Sequence, residues 1–232
     1  MEEHETSKSS EWVWLTLALV LSFIAASFLA ARFNVPPFSK VAARGNLTKA
    51  INNCKQVVTT LKLYSSDNDG KYPDAKLPEA RTSNDVFRLL FKAGVVDSET
   101  IFGCPGSSDG NPDGNIGKAP DFSEALKAGE NHWAMTKGID DHNAGNIPLV
   151  YESPVDATWP PKWNPDAVGT TKKGRTWSSG KVIIGFNDGS VEVLPLVSTK
   201  GEHVGLRPRA DGTPIFPDPP PGQKYEVLDV AR

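Results

Sequence analysis

Apolar and polar positions divide this chain into three regimes. From Trp12 to Ala31 the run WVWLTLALVLSFIAASFLAA carries no charge. At about 1.5 Å per residue such a run matches the ~30 Å hydrocarbon core of a bilayer. It therefore predicts a transmembrane helix over 12–34 behind a polar tail, 1–11, with Trp12 and Trp14 placed for an interfacial belt. A cleaved signal peptide would start basic and have a shorter apolar core, whereas this start carries Glu2, Glu3, Glu5 and Glu11. Ala18, Ser22, Ala26 and Ala30 recur at a spacing of four, a small-residue face on which another transmembrane helix packs closely.

Pro36-Pro37 interrupts helix, because proline lacks the N–H and crowds the preceding turn. Helical pattern resumes near Ser39 as an amphipathic stem, 35–66, with Leu47, Ile51, Cys54, Val58 and Leu61 on one face. Lys49, Asn53, Gln56 and Thr60 fall on the other. Asp67-Asn68-Asp69-Gly70 stops it, since Gly accepts the left-handed conformation and Asp and Asn bond back to turn backbone.

The third regime is short. A second helix is expected over Ser83–Ala93, capped by Ser83 or Asn84, stopped by Gly94 and burying Phe87, Leu90 and Phe91. Brief apolar runs follow at Asn131–Met135 and Ile147–Glu152. Then come Lys181–Phe186 and Ser190–Leu194, joined by Asn187-Asp188-Gly189 as a hairpin. The elements predict an α+β fold: a long N-terminal helix packed on a small antiparallel sheet with long loops. The head spans 67–196, and a Pro-rich irregular tail, 197–232, holds one edge strand at Tyr225–Val230.

Charge adds mainly exclusions. With 25 Lys+Arg against 28 Asp+Glu there is no basic field for nucleic acid. Cys54 and Cys104 are too few for a disulfide scaffold or a four-cysteine zinc site. One bridge between them and two buried free thiols both remain open. Arg32, Lys40, Arg44 and Lys49 follow the apolar run and on the positive-inside tendency favour a cytoplasmic C-terminal side.

The stem end carries Asn52-Asn53-Cys54-Lys55-Gln56, then Leu61-Lys62-Leu63-Tyr64, then Asp67 to Pro73 as DNDGKYP. Downstream stand Ile101-Phe102-Gly103-Cys104-Pro105 and Val182–Val193, VIIGFNDGSVEV. In this order the motifs resemble those of type IV pilin and type II secretion pseudopilin-like (prepilin-like) proteins of the kind common in Verrucomicrobia and Planctomycetes. The resemblance covers about residues 45–196. It implies an exported head, hence a single-pass protein of the inner membrane with a periplasmic C-terminal domain. It also implies a structural or accessory role in a type II secretion or pilus-like assembly. Partners would be the membrane and other pilin-like or secretion-system subunits, met through the transmembrane helix. The chain departs from the family at its start: no Gly precedes the apolar run and Glu11 lies outside it, so prepilin-peptidase processing and filament assembly stay open. A permanently anchored envelope binding module with a pilin-like fold and no filament role is the alternative.

Catalytic and ligand motifs are sparse. Gly169 to Thr176 nearly spells a phosphate loop, but Arg175 replaces the lysine and no strand precedes it, which suits a solvated basic loop. Asp109, Asn111, Asp113, Gly114 and Ile116 copy half of a calcium loop, whose twelfth position is Pro120 rather than Glu. A polar turn accounts for that half-motif, and calcium binding by Asp109, Asn111 and Asp113 stays open. The four histidines lack zinc-site spacing. Cys104 lacks a local sign of activation, and Trp133, Trp159, Trp163 and Trp177 suit packing. No catalytic, cofactor-binding or metal residue is assigned, no cofactor is expected, and the chain is expected not to be an enzyme. A hydrolase would have to assemble its constellation from the loops at 105–180.

Overall fold

A computed structural model describes residues 12–24, 27, 36–107, 109–169 and 172–232, with the side chains of 36–40 excepted. Helix α1 covers 12–24, α2 Pro36–Ser66 and α3 Ser83–Lys92. The strands are β1 Trp133–Lys137, β2 Pro148–Glu152, β3 Lys181–Phe186, β4 Val191–Pro195 and β5 Glu226–Leu228. The chain divides into two compact units, Met1–Gly45 and Asn46–Arg232. The fold class is α+β with a five-stranded antiparallel sheet, as the elements predict.

The N-terminal expectation needs correction. No helix among the described residues is long and apolar enough to cross a membrane. The transmembrane helix over 12–34, the single-pass anchor and the inner-membrane localisation are therefore not supported. One long N-terminal helix is not shown either: the described residues give helix at 12–24, at Ser27 and over Pro36–Ser66. Of the small-residue face, Ala18 and Ser22 lie exposed on α1, while Ala26 and Ala30 fall outside the described residues, as do Arg32 and the tail 1–11.

Helix α2 opens on Pro36-Pro37, residues preset for a first helical turn because its N–H groups have no partner there. Cys54, Val58 and Leu61 of the predicted stripe are fully buried with Ala50 and Val57, and Leu47 and Ile51 are half-buried. Asn53 and Thr60 depart from the predicted polar face: both are buried. Asn53 Nδ2 donates to the Gly103 carbonyl at 2.9 Å, so this side chain ties the helix to the Cys104 loop. The stop forms as expected, with Gly70 N donating to Ser65 O at 2.9 Å and Gly70 at φ +76°. A Cβ at Gly70 would also lie 2.1 Å from the His142 ring, so both backbone and space require glycine there.

Helix α3 starts at Ser83, as expected, but is not capped by Ser83 or Asn84. Thr82 is its cap, bonded reciprocally with Asp85 in a capping box. It ends where Gly94 N donates to Phe91 O and Val95 N to Leu90 O, a Schellman closure. Ser83 and Asn84 are instead buried, and Asn84 Nδ2 donates to Leu126 O at 2.8 Å.

The sheet runs β4-β3-β2-β1-β5, an antiparallel meander with the C-terminal strand returning beside β1. Successive side chains of a strand point to opposite faces, and both faces are covered. Ile183, Val150, Trp133 and Met135 join α2 and α3 in one core. Val182, Ile184, Phe186, Ala134 and Tyr151 join Trp163, Val204, Ile215 and Phe216 in a second. The stretch 197–232, expected as an irregular tail, supplies four residues of those cores besides β5: Val204, Ile215, Phe216 and Tyr225. Gly185 sets the spacing on the α2 side, where a Cβ would stand 2.6 Å from Val58 Cγ2 and 3.1 Å from Cys54 Sγ.

Candidate functional site: a buried Cys–His–Glu–Arg cluster

Four chemistry-bearing side chains from four segments meet against the 99–110 loop. Cys104 follows a short 3-10 turn, Glu99–Phe102, and its N–H is fixed by Gly110 O at 3.0 Å. Gly110 permits this approach: a Cβ there would stand 2.7 Å from His132 Cβ and 2.8 Å from Cys104 N. His132 precedes β1, its N–H held by Phe102 O and its carbonyl by Ser153 N, both at 3.0 Å. The β1–β2 register pairs Trp133 with Glu152, which brings the imidazole to the carboxylate. Arg175 arrives from the loop before β3, its guanidinium 4.7 Å from the Trp177 ring centre.

The polar contacts form a chain. His132 Nε2 lies 3.0 Å from Glu152 Oε1, and its Nδ1 lies 2.7 Å from Ser107 Oγ. Glu152 also accepts from Trp177 Nε1 and from Ile183 N, each at 2.9 Å. Arg175 Nη2 donates to Cys104 Sγ and to Pro105 O, each at 3.2 Å. Cys104, His132 and Glu152 offer donor atoms within 4.8 Å of one another. All four residues are buried, Arg175 to within 6% of full burial and Glu152 completely.

Burial by itself would pull the imidazole of His132 down, but the neighbouring Cys104 sulfur and Glu152 carboxylate outweigh it and raise His132 to about 9. The ring is thus an imidazolium at neutral pH, paired with Glu152. Arg175 has no carboxylate partner among the described residues, and its Nε has no hydrogen-bond acceptor among them. Cys54 is a different kind of thiol: burial, then the charges of Glu152 and Cys104, push it well above its ordinary value. Both cysteines are free, so the bridge left open by the sequence is absent.

The sulfur, imidazole and carboxylate are a donor set that suits zinc. Yet both ring nitrogens already bond to Ser107 and Glu152, and a guanidinium covers the sulfur. The His132–Glu152 pair is thus already engaged by its own protein partners. A second group, Glu99, Asp113 and Glu130, also brings three carboxylates within 4.8 Å. Both oxygens of Glu99 accept backbone N–H groups, from Gly114 and Leu126. Burial raises Glu99 and Glu130, and nearby carboxylates raise both further. The half calcium loop does not close as such. Asp109 pairs with Arg232 at 2.9 Å, Asn111 donates to Ser107 O, and only Asp113 reaches the carboxylate group.

No residue of the Cys–His–Glu–Arg cluster is assigned a role by the sequence reading, which treated Arg175 as part of a solvated loop. The one signal available was Glu152, a lone acid closing the apolar run PLVYE, since acids are almost never fully buried unless paired. Of the tryptophans, Trp133 and Trp163 are packed, as expected, while Trp177 donates into the cluster. Compared with protein-family models, with curated proteins and with solved structures, the chain matches none.

Proposed function

We propose that this chain is a pilin- or pseudopilin-like structural subunit of a type II secretion or pilus-like assembly, contacting its neighbours through α2. One observation carries the reading. Among the described side chains of α2 packing begins at Leu47, while residues 41–46 are exposed helix with Val41 at 66%. An exposed helical segment preceding a packed one is what a subunit offers to adjacent subunits. The ordered motifs from Asn52 to Val193 support the same class.

Site-directed crosslinking of the full chain tests this. Val41→Cys treated with a bismaleimide should give dimers and higher species, above the level of the unsubstituted chain and of a loop control, Lys118→Cys. Light scattering should show mass rising with concentration. A monomer at every concentration with no excess crosslinking refutes the assembly role. That outcome would favour the second reading, a binding module, for which a groove of about 720 Å³ between Asn52–Thr60 of α2 and Val95–Ile101 is the available surface.

A further inference from the structure

We propose that the groove between α2 and residues 95–101 binds a short extended peptide, held chiefly by its backbone. The groove encloses about 720 Å³, within the range of ligand sites, and runs along the helix from Asn52 to Thr60. At about 1.5 Å per residue that wall is about 12 Å long, enough for three or four extended residues. Asn53 fixes the spacing of the two walls, since its Nδ2 donates to Thr100 O at 3.3 Å and to Gly103 O at 2.9 Å. The site goes beyond the assembly role and is independent of it, because the exposed segment 41–46 does not line the groove.

Two observations point to a polypeptide. On the helix wall Asn52 and Gln56 stand four residues apart, hence on one face, and both are exposed. Each side-chain amide carries donors and an acceptor, the complement of a peptide unit. On the facing wall Val96 and Asp97 make no backbone hydrogen bond with any described residue, whereas Val95 N just before them donates to Leu90 O. The groove therefore offers unpaired peptide groups on one side and amides on the other. Main-chain hydrogen bonds of this kind supply affinity for extended peptides.

The charges of the lining narrow the ligand further. Lys55 belongs to the helix wall and Asp97 to the facing one. A polymer of a single charge sign meets a like charge on one wall. Successive side chains of an extended peptide point to opposite sides, so neighbouring acidic and basic residues answer Lys55 and Asp97 in turn. Val95, Val96 and Ile101 are half-buried and add an apolar contact for one further side chain. No aromatic ring lines the groove, so a ring-shaped ligand finds no stacking partner there.

The test titrates the isotope-labelled full chain with acetyl-Thr-Glu-Lys-Val-Thr-amide and follows backbone and side-chain amides by NMR. Saturable shifts are expected at Val96, Asp97 and the side-chain amides of Asn52 and Gln56, with a Kd of about 0.1–1 mM for so short a contact. The same peptide N-methylated at its Lys and Val keeps every side chain but loses two backbone donors, and should bind about ten-fold more weakly. The double variant Asn52→Ala, Gln56→Ala should also bind the unmodified peptide about ten-fold more weakly. Both positions are exposed helix, where Ala is the best helix former, and the spectrum itself reports whether the fold is kept. The comparison of the two peptides on the unsubstituted chain decides the matter even where the variant does not fold. Shifts that do not saturate, shifts confined to residues outside the groove, equal binding of the N-methylated peptide, or unchanged binding by the folded variant each overturn the proposal.

Discussion

Raising the pH from about 6 to about 10 is expected to remove about 3 kcal/mol of folding stability through His132 alone. In the unfolded chain the imidazole titrates near 6.5 and in the folded protein near 9. Between these values the folded state holds a proton that the unfolded state has released. Stability therefore falls as pH rises, by about 1.4 kcal/mol per pH unit, and the His132 contribution is fully present only below 6.5. The assay is urea unfolding followed by tryptophan fluorescence, for which buried Trp133 and Trp163 are the reporters. His132→Gln keeps a donor toward Glu152 but cannot titrate. It should be the less stable protein at pH 6, and the gap to wild type should narrow by about 3 kcal/mol by pH 10. The comparison also separates His132 from Cys54, whose raised thiol adds its own downward slope above about 8.5 in both proteins. A wild-type curve that is flat between pH 6.5 and 9, or an equal slope in His132→Gln, would refute the imidazolium–carboxylate assignment.

Three further outcomes follow from other parts of the molecule. Gly185→Ala places a methyl 2.6 Å from Val58 Cγ2 and should cost about 1–3 kcal/mol in the urea midpoint, with α2 displaced from the sheet. Tyr72→Phe removes the 2.6 Å bond from the phenol to Asn187 Oδ1 and leaves that buried oxygen unsatisfied, so a loss of about 1–3 kcal/mol is expected by thermal or urea unfolding. Acidifying from pH 7 toward 5 should stabilise the fold, because Glu99, Glu130 and Asp74 are raised by burial and the folded state takes up their protons first. Destabilisation over that interval in a pH series of urea curves would count against the buried carboxylate group.

Local elements were legible because their signals are local. Cys54, Val58 and Leu61 repeat at helical spacing and are buried on α2. Lys181–Phe186 is a strand to the residue, and Asn187-Asp188-Gly189 turns it back. The helix α3 was found with its cap misplaced by one, since Ser83 and Thr82 are both capping residues and only tertiary packing buries Ser83. The apolar run at 12–31 was legible as composition, but no helix among the described residues is long and apolar enough to make it a span. The Cys104 cluster was not legible, because no spacing encodes it. His132 and Glu152 meet through strand register, and Arg175 meets Cys104 where the loop between β2 and β3 touches the loop before β1. Asn53 and Thr60 misled for a related reason: a polar residue on a helix reads as outward until a carbonyl such as that of Gly103 is brought to it.

A sheet packed on both faces also constrains how this chain can change over time. In β3 every residue after Lys181 is buried, alternating between the two cores, so no solvent-facing position is free to drift. Even the glycine of that strand is held by the sulfur and methyl beyond it. Substitutions will therefore accumulate on the outer face of α2 and in the exposed loops. Descendants of this sequence would keep the strand VIIGF and the turn after it long after the surrounding segments had become unrecognisable.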